Sequence, residues 1–246
     1  MRTSNPVLKS SFYESFSYGN SKAMTIDGTL NKAFLLFFIL LAGAGLTWTK
    51  AMNSWNVVSI LPWLAVGLIG GLVSGLITSF NPKGARISAP IYAVFEGLLL
   101  GAISAIFEMR YPGIVLRAVF LTFGTMGAML FLYKSGKIRV THKFRLGVFA
   151  ATGGIALFYL FSWILGLLGI GMPGVHGSGL LGIGFSVVVV GVAALNLVLD
   201  FDLIAQGSQR GLPQYMEWYS AFGLMVTLVW LYLEILRLLA KLSDRR

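Results

Sequence analysis

The stretch L-L-G-I-G-F-S-V-V-V-V-G-V-A-A-L-N-L-V-L, Leu180–Leu199, runs without a charge and then meets D-F-D-L-I-A-Q-G-S-Q-R-G, Asp200–Gly211. A membrane span needs about 20 mainly apolar residues at about 1.5 Å each. The stretch therefore reads as a transmembrane helix with two aspartates near its exit. Either Asp200 and Asp202 mark the membrane edge, or they are groups the helix exists to carry.

Six more stretches share this character: Leu30–Thr49, Trp55–Phe80, Ile87–Phe107, Gly113–Tyr133, Leu146–Ile170 and Tyr215–Leu242, with the sixth span extending over Gly179–Gln206. Turn chemistry separates them: Asn81-Pro-Lys-Gly84, Tyr111-Pro-Gly113, Met172-Pro-Gly174 and Gly211-Leu-Pro213. The chain is 57% hydrophobic and only 11% charged, where a soluble domain carries about 25% charge. These features predict an all-α integral membrane protein of seven transmembrane helices. A polar tail, 1–29, precedes the membrane domain, 30–242, and a short tail, 243–246, follows it. Met1–Thr29 lacks a cleavable signal pattern, so the first span is expected to act as an uncleaved signal.

The net charge of +10 is that of basic loops meeting anionic lipid, with no basic–aromatic segment for nucleic acid. Arg2, Lys9, Lys22, Lys32, Lys83, Arg86, Arg210 and the cluster Lys134–Arg145 fall on one side of the alternating spans. Lys50 and Arg110 fall on the other. The positive-inside rule then predicts a cytoplasmic N-terminus in a plasma membrane and a C-terminus outside, although Arg237, Lys241, Arg245 and Arg246 oppose it. Trp48, Trp55, Trp63 and Trp218 lie near span ends, as interfacial anchors do.

Without cysteine the chain has no thiolate site, and two histidines are too few for a histidine metal centre. His176-Gly-Ser178 has no second histidine within a span to act as base, and no phosphate loop or dinucleotide fingerprint occurs. The reading is non-enzymatic, with no cofactor. Gly67, Gly71 and Gly75 in the second span, and Gly97 and Gly101 in the third, recur every four residues. Small residues at that spacing let helices approach closely in lipid. A glycine-lined pore is the alternative.

Ionisable groups within spans are costly and mark function. Four acids qualify: Glu96, Asp200, Asp202 and Glu234. Helix rise places Asp200 roughly 9 Å from the end of the sixth span and Glu96 roughly 13 Å into the third, entering from the same side. The expectation is a cytoplasmic-side layer of Asp200, Asp202 and Glu96, able to share protons or hold Ca2+ transiently. Asn196 shares a helix face with Asp200, whereas Asp202 is turned about 200° away. Asp200 is thus the better sensor, and Asp202 a bystander or a mouth acid. Glu234 lies on the order of 20 Å farther along, with Arg237 and Arg117 as its candidate ion-pair partners. Glu108 is read as paired with Arg110.

Four segments resemble the Bax inhibitor 1 family in its bacterial branch: Met24-Thr-Ile-Asp-Gly28, Phe95-Glu-Gly-Leu-Leu-Leu-Gly101, Asp200-Phe-Asp-Leu-Ile204 and Leu231-Tyr-Leu-Glu-Ile235. The resemblance implies seven helices with the last one central. It also implies a pH-dependent Ca2+ leak gated by acids of the sixth and seventh helices, here Asp200 and Glu234. In the family pattern these acids lie closer in sequence than they do here, so Glu234 is expected to form a second station beyond the layer. The alternative is a protein without transport that modulates a quality-control protease or another membrane partner through the aromatic, basic tail holding Phe12, Tyr13, Phe16 and Tyr18.

Overall fold

The computed structural model describes residues 22–54, 56–169 and 177–245. Seven long helices make up the fold, and each is long and apolar enough to cross a membrane. They are α1 (Ile26–Ser54), α2 (Leu61–Phe80), α3 (Ala85–Arg110), α4 (Ile114–Lys134), α5 (His142–Leu167), α6 (Leu180–Gln209) and α7 (Tyr215–Ser243). A 3-10 turn, Val57–Ile60, leads into α2, and another, Pro82–Gly84, into α3.

Two helices begin before their apolar stretches because local caps hold a polar turn in helical form. Helix α1 starts at Ile26, inside the stretch read as tail. The Thr25 hydroxyl accepts from Gly28 N at 2.9 Å, with Asp27 in the first turn. Helix α5 starts at His142 rather than Leu146, because the Thr141 side chain accepts from Phe144 N at 3.2 Å. At the start of α4, Glu108 accepts from Gly113 N at 2.6 Å and from Val115 N at 3.1 Å. This corrects the expected Glu108–Arg110 pair: a carboxylate is well placed against the unbonded N–H groups of a helix start. Arg110 approaches Asp244 instead, at 3.6 Å. Gly113, with φ of 80°, makes the turn between the two helices.

Helix α7 packs against α1, α3, α4 and α6, which gives the last helix its expected central place. Two apolar clusters lie on its sides. Leu224, Leu228, Leu231 and Ile235 meet Ala193 and Leu197 of α6 and Ala118 of α4. Ala221, Phe222, Met225 and Val229 meet Leu36 and Leu40 of α1 and Ala93 and Leu100 of α3. Helix α3 shares the interior, lying between α1, α2 and α7.

Lipid chains are as apolar as leucine, so close packing, rather than escape from water, holds such helices together. Gly97 and Gly101 provide it: a Cβ on either would strike the α1 backbone at Leu40 O or Ala44 O. Gly67 meets α3 in the same way, with Phe95 O 2.8 Å from where its Cβ would stand. Large side chains such as Phe38, Leu72, Phe120 and Phe161 face outward, as a lipid-facing surface requires.

One face of the bundle is tied by the chain before α1. Met24 N donates to Leu212 O at 2.7 Å and Gln214 N donates to Lys22 O at 3.0 Å. On the opposite face, the ends of α3 and α7 meet where Tyr111 donates a hydrogen bond to Asp244. That bond to a carboxylate raises the Tyr111 phenol above its usual pKa. The start of α1 and the end of α7 therefore lie on opposite faces.

Candidate functional site

Helix α5 positions much of the polar interior. Little of α5 is buried, whereas about half of α3 and of α7 is. Val148 and Ile155 are its buried side chains. Arg145, Thr152 and Tyr159 share the same seven-residue spacing, which brings them to one stripe of the helix. Each makes a polar bond to α6 or α7, at three successive depths.

At the first level, Arg145 donates to Asp202 Oδ2 at 2.8 Å. Gln206 donates to the same oxygen at 2.7 Å, and Tyr133 stands 3.4 Å from Oδ1. Asp202 thus ties α4, α5 and α6 together. At the second level, the Asn196 amide donates to Thr152 Oγ1 at 2.8 Å and to Val192 O at 2.9 Å. At the third, the Tyr159 hydroxyl lies 3.2 and 3.1 Å from the two oxygens of Glu234. Arg237 donates to Glu234 at 2.9 Å and to the Tyr159 oxygen at 3.0 Å. One turn further, Lys241 donates to Gly182 O at 3.0 Å and Ser186 Oγ at 2.9 Å of α6. Arg117, the other candidate partner of Glu234, is exposed and forms no ion pair among the described residues.

Asp200 sits between the first and second levels. It lies nine residues before the end of α6, about 14 Å along the helix. Its polar neighbour is Thr227 of α7. Its Oδ2 is buried and has no hydrogen-bond partner among the described residues. Asp202 and Glu234 each have a guanidinium; among the described residues Asp200 has no cation bonded to it. A buried polar oxygen left unpaired costs roughly 1–3 kcal/mol, and more when charged.

Glu96 lies elsewhere. Its carboxyl faces α2, 3.2 Å from where a Cβ on Gly71 would stand, with Tyr92 beside it. No hydrogen bond or ion pair joins it to Asp200 or Asp202 among the described residues, and no group of three acids there could hold a metal ion. The expected layer of Asp200, Asp202 and Glu96 is therefore not a shared site. Helix rise gives depth alone, and the three carboxyls leave their helices toward different neighbours. Nor is Asp200 hydrogen-bonded to Glu234 among the described residues. His176 and the aromatic tail residues lie outside the described residues.

Seven membrane-spanning helices with charged groups bonded between them define a polytopic membrane protein with a polar interior. A family model described as Bax inhibitor 1 like matches residues 5–244. The chain belongs to that family. No curated protein and no solved structure matches it.

Proposed function

We propose that the protein is a proton-responsive cation leak, with Ca2+ as the cargo, in a bacterial plasma membrane. The observation that carries this reading is the unpartnered Oδ2 of Asp200 in the bundle interior. An acid with no cation to hold its charge answers to proton concentration more directly than one locked in an ion pair. Asp202 lies toward one surface from Asp200, and Glu234 lies toward the other. Their partners Arg145 and Tyr159 both belong to α5, the helix with least buried apolar surface. Displacing α5 would take Arg145 from Asp202 and Tyr159 from Glu234, while Arg237 of α7 stays on Glu234. The basic residues on the face where α1 begins support a cytoplasmic N-terminus.

The test is Ca2+ flux into liposomes containing the purified protein, measured across pH. Asp200→Asn is expected to flatten the pH dependence. If the variant retains both flux and pH dependence, Asp200 is not the sensor. If the intact protein passes no cation at any pH, the partner-binding reading replaces transport.

A further inference from the structure

Between α2, α3 and α7 lies a crevice of about 320 Å³ that the helix packing leaves open toward the lipid. Gly71 and Gly75 form one wall, and their missing side chains create the space. Leu72 and Leu76 form its rim, 64% and 50% exposed. Phe222 and Val226 of α7 line the wall opposite. Tyr92 and Phe222 meet edge to face, with ring centroids 5.0 Å apart.

Into this apolar space projects Glu96, 8% exposed. No lysine, arginine or histidine lines the crevice, and Glu96 takes part in no ion pair among the described residues. Its polar neighbour is the Tyr92 hydroxyl; Ser79 lines the crevice about 12 Å along α2 from Gly71. A carboxyl placed there without a protein cation has electrostatic room for one supplied by a ligand.

The geometry points to a binding site for a protonated organic amine with an apolar body, its ammonium on Glu96 and its hydrocarbon along the leucine rim. A metal ion suits the site poorly. Ca2+ takes 6–8 oxygen ligands, and the crevice offers one carboxylate and two hydroxyls. An ammonium needs one carboxylate, finds aromatic rings nearby in the Tyr92–Phe222 pair, and leaves its hydrocarbon tail in contact with leucine and lipid. The volume lies at the small end of ligand pockets, roughly 300–1,000 Å³. Glu96 stands about 16 Å along α3 from Ala85, too deep for an aminolipid headgroup held at the surface. A single-chain amine can reach it. This site does not rest on the transport reading.

The experiment measures binding alone. Dodecylamine and dodecanol, equal in length and different in charge, are titrated onto the labelled protein in nanodiscs and followed by thermophoresis. The amine is expected to saturate and the alcohol to show only lipid partitioning. Glu96→Gln is expected to weaken amine binding at least about tenfold, since it removes the charge that the described residues place at the site. Should Glu96→Gln fail to fold, Leu76→Trp narrows the crevice from its exposed rim without touching the carboxyl, and it too is expected to weaken the amine. Equal responses to amine and alcohol would overturn the assignment. So would full-strength amine binding by a folded Glu96→Gln or Leu76→Trp protein.

Discussion

Arg145 at the start of α5 and Asp202 near the end of α6 are joined at 2.8 Å, and this is the first of three polar bonds that fasten α5 to the bundle. Thr152–Asn196 and Tyr159–Glu234 follow along the same stripe. Val148 and Ile155 are the buried apolar side chains beside them, so α5 leans on its polar bonds. Such bonds between membrane helices contribute about 0.6 kcal/mol on average and about 1.7 at most.

Thr152→Val should therefore cost only about 0.6 kcal/mol, measured by unfolding in a fixed detergent. The triple change Arg145→Leu, Thr152→Val, Tyr159→Phe should instead broaden the position of α5. With no native cysteine, spin labels at Phe149 and Leu203, both exposed, can report this directly by distance measurement. An unchanged distribution would show that packing, not the polar stripe, holds the helix.

Two kinds of glycine should respond oppositely to alanine. Gly101→Ala forces a Cβ into the α1 backbone and should destabilise by roughly 1–3 kcal/mol. Gly153 of α5 has nothing within 4 Å of a Cβ, so Gly153→Ala should be neutral or stabilising by up to about 1 kcal/mol. Thermal unfolding of the two variants side by side provides the comparison.

Glu217, 2% exposed, accepts from Thr25 N at 2.9 Å and Thr25 Oγ1 at 3.0 Å and pairs with Lys32. Glu217→Ala should cost roughly 3 kcal/mol, because it strands a partly buried ammonium. Replacing both partners, Glu217→Leu with Lys32→Met, should recover part of that loss. Gly28→Ala should weaken the same node, since its Cβ would run into the Glu217 carboxyl. Limited proteolysis before α1 would register each change.

The Tyr111–Asp244 bond carries a pH signature. The folded-state pKa of Tyr111 is raised, so its stabilising contribution is complete below the ordinary tyrosine range and is lost as pH rises through the raised value. Tyr111→Phe should abolish that part of the alkaline stability loss, read as unfolding midpoints above about pH 10. An identical alkaline profile in wild type and variant would count against the bond.

Parts of this site were legible in the chain. The seven-residue spacing of Arg145, Thr152 and Tyr159 can be read directly, yet hydropathy leaves Arg145 in the loop because the apolar stretch begins at Leu146. The Thr141 cap extends the helix back over it. Long basic side chains at span ends follow this pattern, keeping their heads at the polar boundary while their backbone is helical. Lys241, inside the seventh span and read only as a charge opposing an outside C-terminus, reaches inward to α6.

By itself the sequence determined the number of spans, their turns and the costly acids within them. Hydropathy and helix rise depend only on residue order, so they carry over from chain to fold. Tertiary structure alone decided which way each acid faces. Glu96, Asp200 and Asp202 occupy the same half of the bundle, but Glu96 opens on a glycine-walled crevice, Asp202 closes on Arg145, and Asp200 is left with an unpaired oxygen. Depth is a property of one helix. Partnership depends on how several helices are rotated against each other, and among α1, α2 and α3 the close contacts at Gly67, Gly97 and Gly101 constrain that rotation.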